Sequence, residues 1–196
     1  MRLILASSSK TRKALLHRIC GNSFEILPPE VDETPLNLED PKKLSERLSL
    51  EKALKISELN RDAVVIGSDQ VAFCDGKILK KSSNLNDAFE QISYQVGKQT
   101  TFFTGLALAR DGGKEVQSSI VTSQVFYRDS SFISEKLVRN YLNKEKPLNC
   151  AGSTKFESLG ICFLKRVETE DPSALMGLPL IKLCSFFKKW NIQPFA

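Results

Sequence analysis

Hydrophobic positions along the chain follow two repeats. Some short runs are almost wholly apolar or β-branched; other, longer stretches carry an apolar residue every three or four positions. The first pattern predicts strands at Leu3–Ala6, Phe24–Leu27, Ala63–Phe73, Thr101–Arg110, Glu115–Arg128 and Leu159–Arg166. The second predicts helices. One runs from the serine run Ser7–Ser9 to about Cys20, with Leu15, Leu16 and Ile19 on one side. Another starts at Asp40–Pro41 and presents Leu44, Leu48, Ala53, Leu54 and Ile56. Asn84–Val96, Ile133–Leu142 and Leu178–Trp190, the last opening at Pro179, complete the set. Punctuation agrees with these limits. Asp40 can cap free N–H groups while Pro41 tolerates the first helical position. Pro28–Pro29 stops the second strand because proline donates no ladder bond. Gly97 suits a left-handed helix end, and Asp111–Gly112–Gly113 is a hairpin signal. There is no internal repeat and no linker. The order argues for one α/β domain over residues 1–196, with a mixed sheet because at least one adjacent strand pair is a hairpin.

Composition narrows the classes. The 196 residues are 41% apolar and 26% charged, ordinary proportions for a globular protein and enough chain for a real core. A formal charge of +5, from 28 basic and 23 acidic residues, is a mild attraction for a polyanion such as a nucleoside triphosphate. No dense basic stripe marks a nucleic-acid track. Cys20, Cys74, Cys150, Cys162 and Cys184 are odd in number and widely spaced, which reads as reduced thiols in a cytoplasmic protein. His17 is the only histidine and falls within a predicted helix, so histidine catalysis is not expected. The apolar run in MRLILASSSK is too short for a signal-peptide core, and no stretch nears the roughly 18 apolar residues of a membrane span.

Candidate chemistry sits at a few places. In ASSSKTRKALL a strand gives way to a small polar loop and then a helix with Arg12 and Lys13 near its start. Free N–H groups, serine hydroxyls and the positive helix end favour an anion there; a serine N-cap followed by solvated cations explains the same residues. No G-x-x-x-x-G-K-[ST] element is present. In VVIGSDQVAF, Asp69 interrupts an apolar strand, where a carboxylate must be paired, coordinated or working. It suits a divalent metal, activation of water, or a bond to a nearby turn. Glu30, Asp32 and Glu33 are hard oxygen donors suited to Mg²⁺, or a solvated acidic loop. Glu51 and Lys55 have the spacing of a surface pair, which leaves Lys52 without a local partner. Lys80 and Lys81 lie beyond an Asp75–Gly76 turn, placed for solvent or for phosphate.

Together these segments carry a resemblance. LILASSSKTRKALL, PPEVDETP, LSLEKA, VIGSDQV, GKILKKS, NCAGSTKFESLG and GLPLIKL occur in the order found in the Maf family of nucleotide pyrophosphatases, from about Leu3 to Phe187. The resemblance implies an elongated mixed sheet flanked by helices, with two lobes and a central cleft, of the Maf/ITPase-like kind. It implies hydrolysis of a nucleoside triphosphate to monophosphate and diphosphate with a divalent cation, Mg²⁺ or Mn²⁺, and a role in clearing modified nucleotides or in cell-division arrest. Matched residue by residue, the serine loop falls on Ser7, Ser8 and Ser9, and the phosphate-binding cations on Arg12, Lys52 and Lys81. The acidic motif falls on Glu33 as metal ligand, and the catalytic aspartate on Asp69, as water-activating base, metal ligand or both. Two departures stand out. Lys10 replaces the family's usual proline, and Lys80–Lys81–Ser82 replaces Gly-Lys-Pro, which is expected to loosen the turn presenting Lys81.

Within the family, the chain is most similar to members acting on 7-methyl-GTP. The signs are Gln70 in GSDQV, the TFFTGLAL run, and CAGS-x-K followed by Glu157, although KFES stands where K-S-E-G is usual. A carboxylate at Glu157 would offset the positive charge that N7-methylation leaves on guanine. Arg12, Gln70 and Glu157 are thus the expected specificity residues. The alternatives are a dTTP/UTP pyrophosphatase of the same fold and a non-catalytic nucleotide-binding division regulator. No nucleic acid or membrane partner is expected, and a homodimer is compatible with the sequence.

Overall fold

The computed structural model describes residues 2–195, so the outermost residue at each end of the expected domain lies outside the described residues. The chain folds as β1 (Arg2–Ala6), α1 (Lys10–Cys20), β2 (Glu25–Ile26), α2 (Pro41–Leu59), β3 (Ala63–Cys74), β4 (Lys77–Leu79), α3 (Leu85–Gln95), β5 (Gln99–Arg110), β6 (Glu115–Tyr127), α4 (Glu135–Glu145), β7 (Leu164–Thr169) and α5 (Leu180–Lys189). Seven strands form one sheet in the order β2-β1-β3-β5-β6-β7, with β4 beside β3. β1 pairs in parallel with β2 and β3, whereas β3–β4 and β6–β7 are antiparallel, so the sheet is mixed. Among the described residues no helix is long and apolar enough to cross a membrane.

Two compact units emerge. The first comprises the chain up to Gln70, Thr104–Val121 and the part from Asp171. Here the two-residue strand period sorts the core onto both sheet faces. Leu3, Leu5, Val64 and Ile66 pack with Leu15, Leu16, Leu183, Phe186 and Phe187 of α1 and α5. Ile4, Ala6, Ala63 and Val65 pack on the other face with Ile56 of α2. α2 is capped as its sequence predicts: Asp40 accepts from the N–H groups of Lys42 and Lys43. Its backbone lies directly on the sheet at two glycines. A Cβ on Gly67 would stand 2.2 Å from Ser49 O, and one on Gly105 2.4 Å from Ser45 O. Only glycine admits that approach.

The second unit comprises Val71–Phe103 and Thr122–Glu170. β3 and β4 form a hairpin through Asp75 and Gly76, whose φ of 47° and 81° are the left-handed pair that a two-residue turn requires. Phe102 meets Phe156 edge to face at 5.1 Å, and Tyr141 meets Phe163 at 4.9 Å.

Several expectations need correction. Leu159–Phe163 is a 3₁₀ turn and the strand begins only at Leu164. Gly160 explains the difference: a Cβ there would be 2.4 Å from Lys155 O, so the chain folds back on itself instead of extending. The second strand shrinks to Glu25–Ile26. The fourth helix starts at Glu135, because Ser134 caps it and accepts from Leu137 N, leaving Ile133 outside. Glu51 does not pair with Lys55; Arg47, one turn earlier, takes it at 3.2 Å.

Candidate active site

In the first unit four charged side chains gather where α2 crosses β3. Lys52 Nζ donates to Asp69 Oδ1 and to Glu33 Oε1, each at 2.6 Å. Lys52 and Asp69 are 5% and 7% exposed, so the buried carboxylate is held there by the ammonium, and the ammonium by Asp69 together with Glu33. Glu33 reaches the same ammonium from the loop before α2, and half of its side chain remains in solvent. Arg12 is the fourth member. Burial lowers its pKa from the ordinary guanidinium value, and the negative charges of Asp69 and Glu33 act in the opposite direction. A group starting so high stays charged.

Each member is held from behind. Ser45 of α2 donates to the Asp69 carbonyl at 3.1 Å and accepts from Gly105 N at 2.8 Å, fastening helix and strands beside the carboxylate. Arg12 Nε donates to Gly177 O at 2.7 Å, and Arg12 Nη1 to Ser7 Oγ at 3.4 Å. Ser68 Oγ lies within donating distance of Gly105 O at 2.7 Å and of the same Gly177 carbonyl at 2.9 Å. Ser9 caps α1 by accepting from Arg12 N, Ser7 Oγ accepts from Ser9 N, and Ser8 is exposed. No acidic residue occupies the first turn of α1, which leaves its positive end uncompensated. The loop bearing Glu33 is clasped to α2 by Arg47, which donates to both Glu39 oxygens at 2.7 and 2.9 Å and to Thr34 O at 3.1 Å. Those bonds hold the Glu39 carboxyl well below its usual range, at about 2.

The acidic trio of that loop divides. Glu33 joins the cluster, Asp32 accepts from Thr34 N at 2.9 Å as a turn cap, and Glu30 is exposed. Gln70, next to Asp69, projects to the opposite side of its strand. Its Nε2 lies within donating distance of Ala174 O at 2.8 Å, Thr104 Oγ1 at 3.1 Å and Leu175 O at 3.2 Å. The amide nitrogen therefore anchors the Pro172–Met176 turn, and the amide oxygen is the polar atom left for another task.

The two remaining candidates belong to the second unit. Lys81 is exposed on the segment after β4. That segment is not loosened by the absence of proline. Ser82 is buried, its Oγ lies 2.6 Å from Ser153 Oγ, and it accepts from Gln91 Nε2 at 3.0 Å. Glu157 is exposed between buried Phe156 and Gly160. Its charge adds to the burial that pushes the Cys150 thiol up to about 11.

A divalent cation suits the donor set at Lys52. Glu33 and Asp69 bring two hard carboxylates to one point. Among the described residues no group of three or more His, Cys, Asp or Glu could hold a metal. The protein would thus contribute two carboxylates, with water and phosphate oxygens completing the shell, the usual arrangement for Mg²⁺ with phosphates. Ser45, Ser68, Arg47 and Gly177 escaped the sequence reading. Ser45, on an apolar helix face, and the glycines inside strands were the available signals.

Comparison with known proteins places these residues in context. The family described as Maf-like protein matches residues 2–190. A protein of Colwellia psychrerythraea named 7-methyl-GTP pyrophosphatase is 42% identical over 194 residues, 99% of this chain and 95% of that one. A protein of the same name from Pseudoalteromonas atlantica is 42% identical over 195 residues, 100% of this chain and 98% of that one. A solved structure of a HAM1 protein from Coxiella burnetii is similar over 65% of this chain and 73% of that one, with a TM-score of 0.46 and 10% identity.

Proposed function

The chain belongs to the Maf-like protein family, and from that premise we propose that it is a nucleoside triphosphate pyrophosphatase. The substrate is 7-methyl-GTP, cleaved between the α- and β-phosphates to 7-methyl-GMP and diphosphate. The two relatives at 42% identity, both named 7-methyl-GTP pyrophosphatase, support the substrate. The observation that carries the chemistry is Lys52 held between Glu33 and Asp69. The family match over residues 2–190 takes in both units and supports treating the whole chain as one domain.

Phosphoryl chemistry requires a placed water and neutralisation of developing charge. Asp69 is the base: Lys52 and the Ser45 contact to its backbone fix its carboxylate, which accepts the proton of the attacking water. Lys52 has three N–H donors, two of them used by carboxylates, so one is available to a phosphate oxygen. Arg12, aimed by Gly177 O, presents its outer nitrogens to the phosphates, and Ser8, Ser9 and the α1 N–H groups add neutral donors. Lys81 is the remaining phosphate cation. Glu33 and Asp69 would hold the divalent cation, which supplies Lewis-acid neutralisation of the triphosphate. Arg12, the Gln70 amide oxygen and the Glu157 carboxylate select the base.

Diphosphate release with Mg²⁺ or Mn²⁺ across 7-methyl-GTP, GTP, dTTP and UTP tests the reading. The highest kcat/KM is expected for 7-methyl-GTP. A preference for dTTP or UTP would reassign the substrate, and no release from any of the four would remove the activity.

A further inference from the structure

α5 begins at Pro179, which offers it neither a capping side chain nor an N–H of its own. The leading N–H groups of the helix are satisfied from farther back in the chain. Leu180 N donates to Ser173 Oγ at 2.7 Å, and Ile181 N and Lys182 N donate to Asp171 Oδ2 at 2.8 and 3.2 Å. The other carboxylate oxygen, Oδ1, accepts from Ser173 N at 3.1 Å and from Ser173 Oγ, capping the Pro172–Met176 turn. Asp171, only 2% exposed, thus grips both ends of one short segment. A cap at position 179 would serve α5 alone, whereas this remote one also fixes what lies between.

Gly177 lies between. Its φ of 91° is left-handed, and its N–H closes the turn on Ala174 O at 2.8 Å. Its carbonyl accepts from Arg12 Nε at 2.7 Å. A guanidinium is planar, so fixing the direction of Nε–H fixes where its outer nitrogens point. The same turn carries the Ala174 and Leu175 carbonyls that face Gln70 Nε2. We propose that Asp171 is a positioning residue: by clasping the turn to α5 it sets the direction of the Gly177 carbonyl, and so aims the Arg12 guanidinium at the phosphates. The consequence for turnover rests on the proposed pyrophosphatase activity; the clasp rests on the geometry. Asp171→Asn breaks it at one end, because an amide has a single acceptor oxygen and cannot serve both Ser173 and the α5 N–H groups.

Solvent exchange of the Arg12 Nε–H, followed by heteronuclear NMR of the full chain, reads the clasp without reference to activity. The signal is identified by its loss in Arg12→Lys. Exchange is expected to be at least about tenfold faster in Asp171→Asn than in the wild type. Arg47 Nε, which donates to Glu39 in the same unit, is the control and is expected to keep its rate. No change at Arg12, or an equal rise at Arg47, would overturn the proposal. Asp171→Asn/Pro179→Asp gives α5 its own cap; melting temperature is expected to recover while Arg12 exchange stays fast. Slow exchange in that variant would make Asp171 an ordinary helix cap. Should Asp171→Asn not fold, Ser173→Ala removes the bond to Leu180 N and is expected to show a smaller acceleration, and an unchanged rate overturns the clasp. In kinetics, Asp171→Asn is expected to lower kcat/KM for 7-methyl-GTP by roughly 10- to 100-fold, the cost of a misplaced group. Arg12→Lys should then cost less in that background than in the wild type, and full additivity would count against the proposal. A wild type that releases no diphosphate removes the activity, and the exchange rates still decide the clasp.

Discussion

Lys52 Nζ and Asp69 Oδ1 meet at 2.6 Å across the contact between α2 and β3, and the meeting depends on Gly67, two residues before the aspartate. A larger residue there would lift the helix off the strand, because its Cβ would collide with Ser49 O and Ala53 N, on either side of Lys52 in the helix. The pair is thus a product of helix–sheet packing. Lys52 has no charge partner within its own helix; both of its carboxylates come from elsewhere in the chain.

Asp69→Asn removes the proton acceptor and keeps the side chain's shape. Turnover of 7-methyl-GTP is expected to fall by about 10²- to 10⁴-fold, while Lys52 keeps Glu33 as partner and the fold survives. Steady-state kinetics alongside a thermal melt check this; near-native turnover by a folded variant removes Asp69 from the chemistry.

Lys52→Met should cost both activity and stability. It leaves the Asp69 carboxylate buried without its cation, and breaking such a pair typically costs about 3–5 kcal/mol. Adding Asp69→Asn to the same protein should recover much of that stability and none of the activity. Denaturant melts of the three variants measure the coupling, and simple additivity would contradict it.

Arg12→Lys tests the guanidinium fork. A lysine cannot donate to Gly177 O and reach phosphate oxygens at once. Loss of charge-assisted bonds of this kind corresponds to roughly a 10- to 100-fold fall in kcat/KM. Both 7-methyl-GTP and GTP should lose activity, the shared loss reporting phosphate binding and any difference between them base selection; a fall confined to one of them would leave Arg12 with base selection alone.

Glu157→Gln addresses base selection. If the exposed carboxylate faces the cationic ring, the preference for 7-methyl-GTP over GTP should drop by about 10- to 100-fold, the worth of one charge-assisted contact. The ratio of kcat/KM values in wild type and variant decides it, and an unchanged ratio makes Glu157 an ordinary surface residue.

Acid should release the Glu33 loop through Glu39. The Glu39 carboxyl is held at about 2 by Arg47, below its ordinary 4.5, so the folded state binds the proton more weakly than the unfolded chain. Its contribution is complete above about pH 4.5 and is lost as the pH falls toward 2. Glu39→Gln is expected to lower the melting temperature at neutral pH and to flatten this stretch of the acid limb. Thermal melts at several pH values compare the two proteins; parallel curves would count against the clasp.

Local signals in the chain specified local structure well. Asp40–Pro41 begins α2, Asn84 caps α3, and the alternation of Leu3 with Ile4 or Val64 with Val65 sorts side chains to two sheet faces. Backbone hydrogen bonding and side-chain period act over a few residues, so they can be read from a few residues. The site's candidates were legible as anomalies for the same reason: a carboxylate in an apolar strand, a lysine without a local partner, cations at a helix start. Tertiary structure alone decided who meets whom. Lys52 takes Glu33 and Asp69, while Arg47 displaces Lys55 as the partner of Glu51. Ser82 replaces a stiff proline by bonding Ser153, and Gln70 turns away from Asp69 to carbonyls 104 and 105 residues later in the chain. Such contacts follow from strand order and from where glycines let a helix touch the sheet, and neither is written in the period of any single segment.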